Sequence, residues 1–209
     1  MDQTEATPVV PLEAGAGPEN PPCPACGEPL FGWIGRKDGL EGPVRRCESC
    51  GLAIVGAPGD AAAALHELDS LRREDMVQIE NRGSFACALG GAGWSGLQPG
   101  RRHLFTVEAV RRLVAQRDQV VKSARWRPLA GLANTWQTLL NSVTFGRNVA
   151  LGALRDLPAV PAAQPWQRRI DALASVVLAI PALVIAIPVE LLGGLSRRGA
   201  VIAIRLELF

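Results

Sequence analysis

The stretch ALASVVLAIPALVIAIPVELLGGL, residues 172–195, decides how the rest of the chain is arranged. Its one charge is Glu190, and residues 172–189 carry none. A helix rises about 1.5 Å per residue, so this length matches a hydrocarbon core of about 30 Å; the alternative is a buried helix of a soluble body. Pro181 and Pro188 disfavour a straight helix in water, whereas membrane helices accept proline where the freed carbonyls find other partners. Arg168 and Arg169 precede the stretch, and Arg197 and Arg198 follow it. Basic residues favour the cytoplasmic side, so both flanks ask for the same side. The expectation is a helix pair that dips into the membrane, bends near Pro181 and Pro188 and returns, with membrane lipids as partners and the cytoplasmic face as location.

Ahead of this stretch the chain has room for one ordinary domain with additions: 209 residues, 48% hydrophobic, with 22 Gly and 16 Pro that divide it into short pieces. The net charge of +2 hides a gradient. Asp2, Glu5, Glu13 and Glu19 stand without a base in residues 1–22, while residues 101–127 hold eight bases against Glu108 and Asp118. That basic run suits anionic head groups or phosphates, or is a solvated face. Residues 1–21 lack periodicity and read as a disordered lead-in; acidic and proline-rich, they do not read as a cleavable signal peptide. The soluble part is expected in the cytosol, where cysteines bind metal more often than they pair.

The sharpest chemical signal is Cys23-Pro-Ala-Cys26 and Cys47-Glu-Ser-Cys50, two C-x2-C pairs twenty residues apart. Each pair sets two thiolates about a tight turn so that both reach one tetrahedral Zn²⁺. Gly27 and Gly51 follow the pairs and allow the backbone angles such knuckles need. FGWIG, a KDG turn and PVRR between them read as a hairpin, and the whole is similar to a zinc ribbon. Four cysteine ligands leave no position for a substrate water, so the zinc is expected to be structural, with disulfides as the alternative. Arg45 and Arg46 are offset by Glu28, Asp38, Glu41 and Glu48 and no aromatic stacking set accompanies them, so nucleic acid is not an expected partner.

Asp60 is placed to cap a helix running to about Arg73, with Leu65, Leu68 and Leu71 as its stripe and His66 beside it without a role. Met76–Glu80 alternates as a half-buried strand, and a turn leads to a short apolar helix over 85–89 that holds Cys87 as a core residue. Gly90-Gly-Ala-Gly93 lacks phosphate-loop spacing and reads as a flexible turn. Thr106 caps a helix over 107–116, and 118–125 reads as a strand. In residues 128–154, Leu129, Leu132, Trp136, Leu139 or Leu140 and Val143 share one face while Asn134, Gln137, Thr138 and Asn141 take others. That apolar face is expected either in an ordinary core or at a membrane surface, with Trp136 and Trp166 at head-group depth. Residues 158–165 read as a spacer, and 200–208 alternate as a late strand.

The run 76–125 resembles the C-terminal third of class I S-adenosylmethionine-dependent methyltransferases. Trp94, Gly96, Leu97, Pro99, Arg102, His103, Leu104, Phe105 and Thr106 carry that resemblance, over about fifty residues, with Phe105 in tighter spacing than some members show. The family binds its cofactor in the first half of a doubly wound sheet, on a glycine-rich turn after its first strand. Only some twenty-five residues lie between Gly51 and Met76, with no V-L-D/E-x-G-x-G, so no cofactor-binding residue is assigned. The resemblance implies that 119–125 and 200–207 are its sixth and seventh strands, an antiparallel edge pair with the helices and the apolar stretch inserted between them.

The fold expected is therefore α+β. A zinc ribbon (22–56) precedes a partial α/β, methyltransferase-like remnant of three strands (57–128). An amphipathic helical segment (129–165), the membrane-associated stretch (166–198) and a final strand (199–209) pairing with 119–125 follow. The expected function is a membrane-associated binding or scaffold subunit without its own cofactor site, whose edge at Met76–Glu80 would welcome a protein partner completing the sheet. The alternative is a methyltransferase acting on a lipid-like or polyprenyl-linked acceptor. There S-adenosylmethionine would be the cofactor, His103 the one candidate catalytic residue, and Arg101 and Arg102 the neighbours of an anionic acceptor. The metal-ligating candidates are Cys23, Cys26, Cys47 and Cys50.

Overall fold

The computed structural model describes residues 20–37, 39–127, 129–155 and 158–208. Nearly all of the lead-in expected at 1–21 lies outside them. The chain is mixed α/β and builds two antiparallel sheets. In the first, β1 (Leu30–Ile34), β2 (Val44–Cys47), β3 (Ala53–Val55) and β6 (His103–Leu104) lie side by side in that order. In the second the order is β4 (Arg72–Arg73), β5 (Met76–Glu80), β8 (Val201–Leu208), β7 (Gln119–Trp126). Helices α1 (Ala61–Ser70), α2 (Phe85–Gly90) and α3 (Val107–Ala115) link the strands. Four more, α4 (Leu132–Asn141), α5 (Val149–Arg155), α6 (Pro165–Val177) and α7 (Ala179–Leu195), form the long insertion between β7 and β8.

Local chemistry explains most boundaries. Asp60 Oδ1 accepts the Ala63 N–H at 2.8 Å, Ser84 Oγ that of Cys87 at 3.1 Å and Thr106 Oγ1 that of Ala109 at 3.1 Å, so α1, α2 and α3 each begin on an oxygen cap. α1 ends at Ser70, short of the expected Arg73. Leu71 caps it, and Arg72 and Arg73 turn back as β4 to pair with Val77 and Met76. β5 is thus covered by β8 along its whole length on one side and by β4 over its first half on the other. Of the edge expected to be open, only residues 78–80 remain, and the Gln78 N–H already donates to Leu71 O at 3.3 Å. β7 pairs β8 from Gln119↔Leu208 to Trp126↔Ile202, interrupted by a bulge between Val121 and Ser123.

One core joins both sheets. Leu30 and Ile54 from the first, and Leu52 just before β3, pack with Leu65 and Leu68 of α1, Val77 and Ile79 of β5, Phe105, Leu113 of α3, and Ile202 and Ile204 of β8. Alternation in β3 sends Ile54 to this core and Ala53 and Val55 to a second, smaller one with Trp94, Leu97 and Leu104.

The insertion departs from its expected reading in two ways. First, α4 turns its polar side inward: Thr135, Gln137, Thr138 and Asn141 are buried. Asn141 is the hub, with Nδ2 donating to Gly93 O at 2.8 Å and Asn148 Oδ1 at 3.0 Å. Its Oδ1 accepts from Gln137 Nε2 at 2.7 Å and the Asn148 N–H at 2.8 Å. The glycine run at 90–93 serves this packing rather than flexibility, because a Cβ on Gly90 would come within 2.3 Å of Thr138 Cγ2. Trp136 is half-buried and donates to Ala179 O at 2.8 Å. Second, the helix pair is bent as expected, by 61°, but the break falls at Leu178 and not between Pro181 and Pro188. Pro181 has no N–H for Val177 O and its ring crowds that carbonyl, so α6 stops at Val177 and the break falls before the proline; Pro188 is accommodated inside α7. Among the described residues no single helix is long and apolar enough to cross a membrane, whereas the bent pair together has the length and composition.

Replacing Asn141 with leucine leaves the Gly93 carbonyl, the Asn148 N–H and the Gln137 amide buried without partners. Destabilisation of about 2–4 kcal/mol is expected, read from the urea midpoint at an unchanged m-value.

Candidate metal centre

The two cysteine pairs converge. The four Sγ atoms lie within 4.8 Å of one another, with Cys23 to Cys50 at 3.6 Å and Cys26 to Cys47 at 3.4 Å. Zn–S bonds of about 2.3 Å place tetrahedral sulfurs about 3.8 Å apart, so the cluster fits one tetrahedral ion held by Cys23, Cys26, Cys47 and Cys50. Four thiolates in a closed site suit zinc better than calcium or magnesium, which take oxygen ligands. The cysteines are free rather than disulfide-bonded. Each knuckle is a tight turn: Gly27 N–H donates to Cys23 O at 2.8 Å and Gly51 N–H to Cys47 O at 3.1 Å. Gly27 and Gly51 sit at φ +78° and +77°, which the turns require and a side chain would strain.

The sulfurs share protons unevenly. The hydrogen bond from Cys50 brings the Cys23 thiol down to about 5, while the same bond and burial push Cys50 up. Burial raises Cys26. A cation at the centre displaces these protons and supplies the charge that a buried thiolate cluster needs.

What surrounds the cluster ties it to the rest of the molecule. Thr106, the cap of α3, donates its hydroxyl to Cys50 O at 2.6 Å. Arg82 Nη1 donates to Gly51 O at 3.0 Å. At the other end of α3, Gln116 Nε2 donates to Pro24 O at 3.0 Å. α3 therefore grips one knuckle at each end. Cys23, Cys47 and Cys50 belong to the core shared by α1, β5, α3 and β8. None of these supporting residues stood out in the sequence except Thr106, as a cap. Cys87 lies outside the cluster, buried, with its thiol pushed up to about 12 by burial.

His103 lies away from the sulfur cluster's ligand set, in β6, opposite Ile54 of β3. It is 3% exposed, its Nδ1 is 2.6 Å from Glu67 Oε2, and its N–H donates to the same oxygen at 3.1 Å. Its ring stacks on Phe105 with centroids 6.1 Å apart. In this position it links the first sheet to α1. Arg102 points elsewhere, donating to Ala57 O at 3.2 Å, while Arg101 stands 3.8 Å from Glu80 Oε1.

No family model, curated protein or solved structure matches the chain. The class is therefore defined by its own geometry, a closed four-cysteine centre inside a two-sheet α/β body.

Two measurements test the centre. Elemental analysis is expected to give one zinc per chain, falling below a tenth in Cys47→Ser. Chelation is expected to melt the common core and not the knuckles alone, so near-ultraviolet signal from the tryptophans and helical signal are lost in one transition. Thr106→Ala should cost about 2 kcal/mol, more than a helix cap alone, because the Cys50 carbonyl is released as well.

Proposed function

We propose that this protein is a membrane-surface binding or scaffold subunit: a zinc-stapled α/β body that carries a bent apolar helix pair into the bilayer interface. The observation that carries the reading is α7. Its sequence is apolar on every side, yet only the stripe Ala182, Ala186, Glu190 and Gly193 is buried. That stripe lies on α4, where Thr135 donates a hydrogen bond to the Glu190 carboxylate. The other sides present Ile180, Leu183, Val184, Ile185, Leu192 and Leu195, from 39% to 83% exposed. α6 adds Trp166, Ile170, Leu173, Val176 and Val177, with Phe145 against the Trp166 ring at 5.5 Å.

A helix apolar all round belongs in a core or in lipid. Fully burying each such side chain is worth about 1.5–3 kcal/mol, which leaves this surface far from its free-energy minimum in water. A bend of 61° with one side of each helix on the body suits helices lying within the interface rather than a straight span. Arg168 and Arg169 near the start of α6 and Arg197 and Arg198 just after α7 suit the anionic cytoplasmic leaflet. The zinc is structural in this reading: its four ligands leave no open position.

The antiparallel β7–β8 pair at the sheet edge agrees with descent from a methyltransferase-like fold, and the short segment 57–75, occupied by α1 and β4, leaves no cofactor half. Catalysis is accordingly not assigned to His103.

Flotation with phosphatidylcholine vesicles tests the membrane reading. The zinc-loaded chain is expected to float. The triple variant Val176→Glu, Ile180→Glu, Val184→Glu is expected to lose at least about tenfold in partitioning with unchanged zinc content. A wild-type chain that stays with the soluble fraction overturns the reading. Calorimetric titration with S-adenosylmethionine is expected to show no saturable heat; micromolar binding would put the methyltransferase reading first.

A further inference from the structure

Two cavities outside the metal centre meet at Ala130 and Arg155, which line both. The first, about 420 Å³, lies beside the end of β5 and is polar, lined by Arg73, Arg101 and Arg155 together with Glu80, Gln78 and Asn134. Arg101 is held by Glu80 at 3.8 Å, and Gln98 Nε2 donates to the same carboxylate at 3.1 Å. Among the described residues Arg73 and Arg155 form no ion pair. Burial raises the Glu80 carboxyl, against the charge of Arg101 and the amides of Asn134 and Gln98. The second cavity, about 310 Å³, is apolar: Leu132, Trp136, Leu151, Leu154 and Leu183 line it. Leu183 belongs to the exposed apolar surface of α7, and Leu154 is 72% exposed. The apolar cavity therefore shares Leu183 with the surface proposed to enter the bilayer, and Ala130 and Arg155 with the arginine-lined one.

We infer that the joined cleft holds a single anionic lipid, its phosphate among Arg73, Arg101 and Arg155 and its chain along Leu132, Trp136 and Leu183. Guanidinium groups bind phosphate oxygens in paired, charge-assisted hydrogen bonds, and two of the three carry no competing carboxylate among the described residues. A small soluble anion would satisfy the arginines and leave the adjoining apolar groove in water. A neutral lipid would fill the groove and leave the net positive charge uncompensated. Only an amphiphile with an anionic head matches both halves. The inference rests on the membrane reading for the source of its ligand.

Titration of the full zinc-loaded chain in amphipol with dihexanoyl phosphatidic acid tests it, with glycerol 3-phosphate and dihexanoyl phosphatidylcholine as the other two probes. Saturable one-to-one binding of the phosphatidic acid is expected, at least about tenfold tighter than either comparison probe. Arg73→Gln with Arg155→Gln should weaken it at least about tenfold, and Leu154→Gln with Leu183→Gln should do the same, without loss of zinc. Both pairs are exposed enough that folding is retained. Glycerol 3-phosphate binding as tightly as the lipid, phosphatidylcholine binding as tightly, or arginine variants binding like wild type would each overturn the assignment. Flotation with pure phosphatidylcholine vesicles reports the helix pair separately. A chain that floats but does not bind the short-chain phosphatidic acid loses this inference and keeps the membrane reading.

Discussion

The contact on which the rest depends is the grip of α3 on the cysteine knuckles. Thr106 and Gln116, at the two ends of one helix, bond the carbonyls of Cys50 and Pro24. Because Leu113 and Val110 of the same helix fill the common core beneath β8, the position of the sulfur cluster and that of the second sheet are fixed together. Strands this short, three residues in β3 and two in β6, cannot hold a sheet by their own hydrogen bonds. A metal bound by the four cysteines of the two distant turns would replace the apolar area that such a small sheet lacks. The coupling has a consequence for the insertion. β8 lies between β5 and β7, and it begins a few residues after α7 ends, so the helix pair hangs from the strand whose Ile202 and Ile204 share a core with three of the four cysteines.

The polar interior of α4 explains how the pair is carried. Few apolar neighbours are available to α4 on its inner side. It meets the Gly93 and Ser95 backbone and the Asn148 side chain, so amides and hydroxyls satisfy carbonyls there that leucines would have left bare. Glu190 and Asp171 extend the same logic into the two apolar helices. Asp171 accepts the N–H groups of Phe145 and Gly146, both at 2.8 Å, and Glu190 accepts from Thr135. Each apolar helix is thus fixed to the body by one buried acid, and directional bonds set its rotation where apolar packing would have allowed several. That leaves the remaining apolar sides outward by construction.

How much of this was legible in the sequence depended on whether chemistry or neighbourhood decided the outcome. The four cysteines were readable because their spacing is itself the geometry of two thiolates about a turn. The caps Asp60 and Thr106, and strands β5, β7 and β8, were readable from a side-chain oxygen or from alternation. His103 and Leu104 gave no such signal, since two residues have no period; only the β3 edge beside them makes them a strand. For α4, periodicity gave a polar and an apolar stripe but not which one faces inward, and the answer lay in residues 39 to 48 positions upstream, Ser95 and Gly93. Arg73, Arg101 and Arg155 are far apart in sequence, and only the fold brings them into the lining of one cavity.

The bend between α6 and α7 shows how a local rule and a tertiary one combine. Pro181 alone requires that Val177 O lose its helical partner, and so dictates a break one turn before it. Pro188 is subject to the same rule yet does not break α7, whose buried stripe continues past it, with Ala182 and Ala186 before the proline and Glu190, bonded by Thr135 of α4, and Gly193 after it. The corner turns both helices along the body instead of away from it. That places Leu183 over the groove at Trp136 and Leu151 while the outer sides stay apolar. Leu183 thereby closes one side of a groove whose other walls, Leu132, Trp136, Leu151 and Leu154, come from α4 and α5.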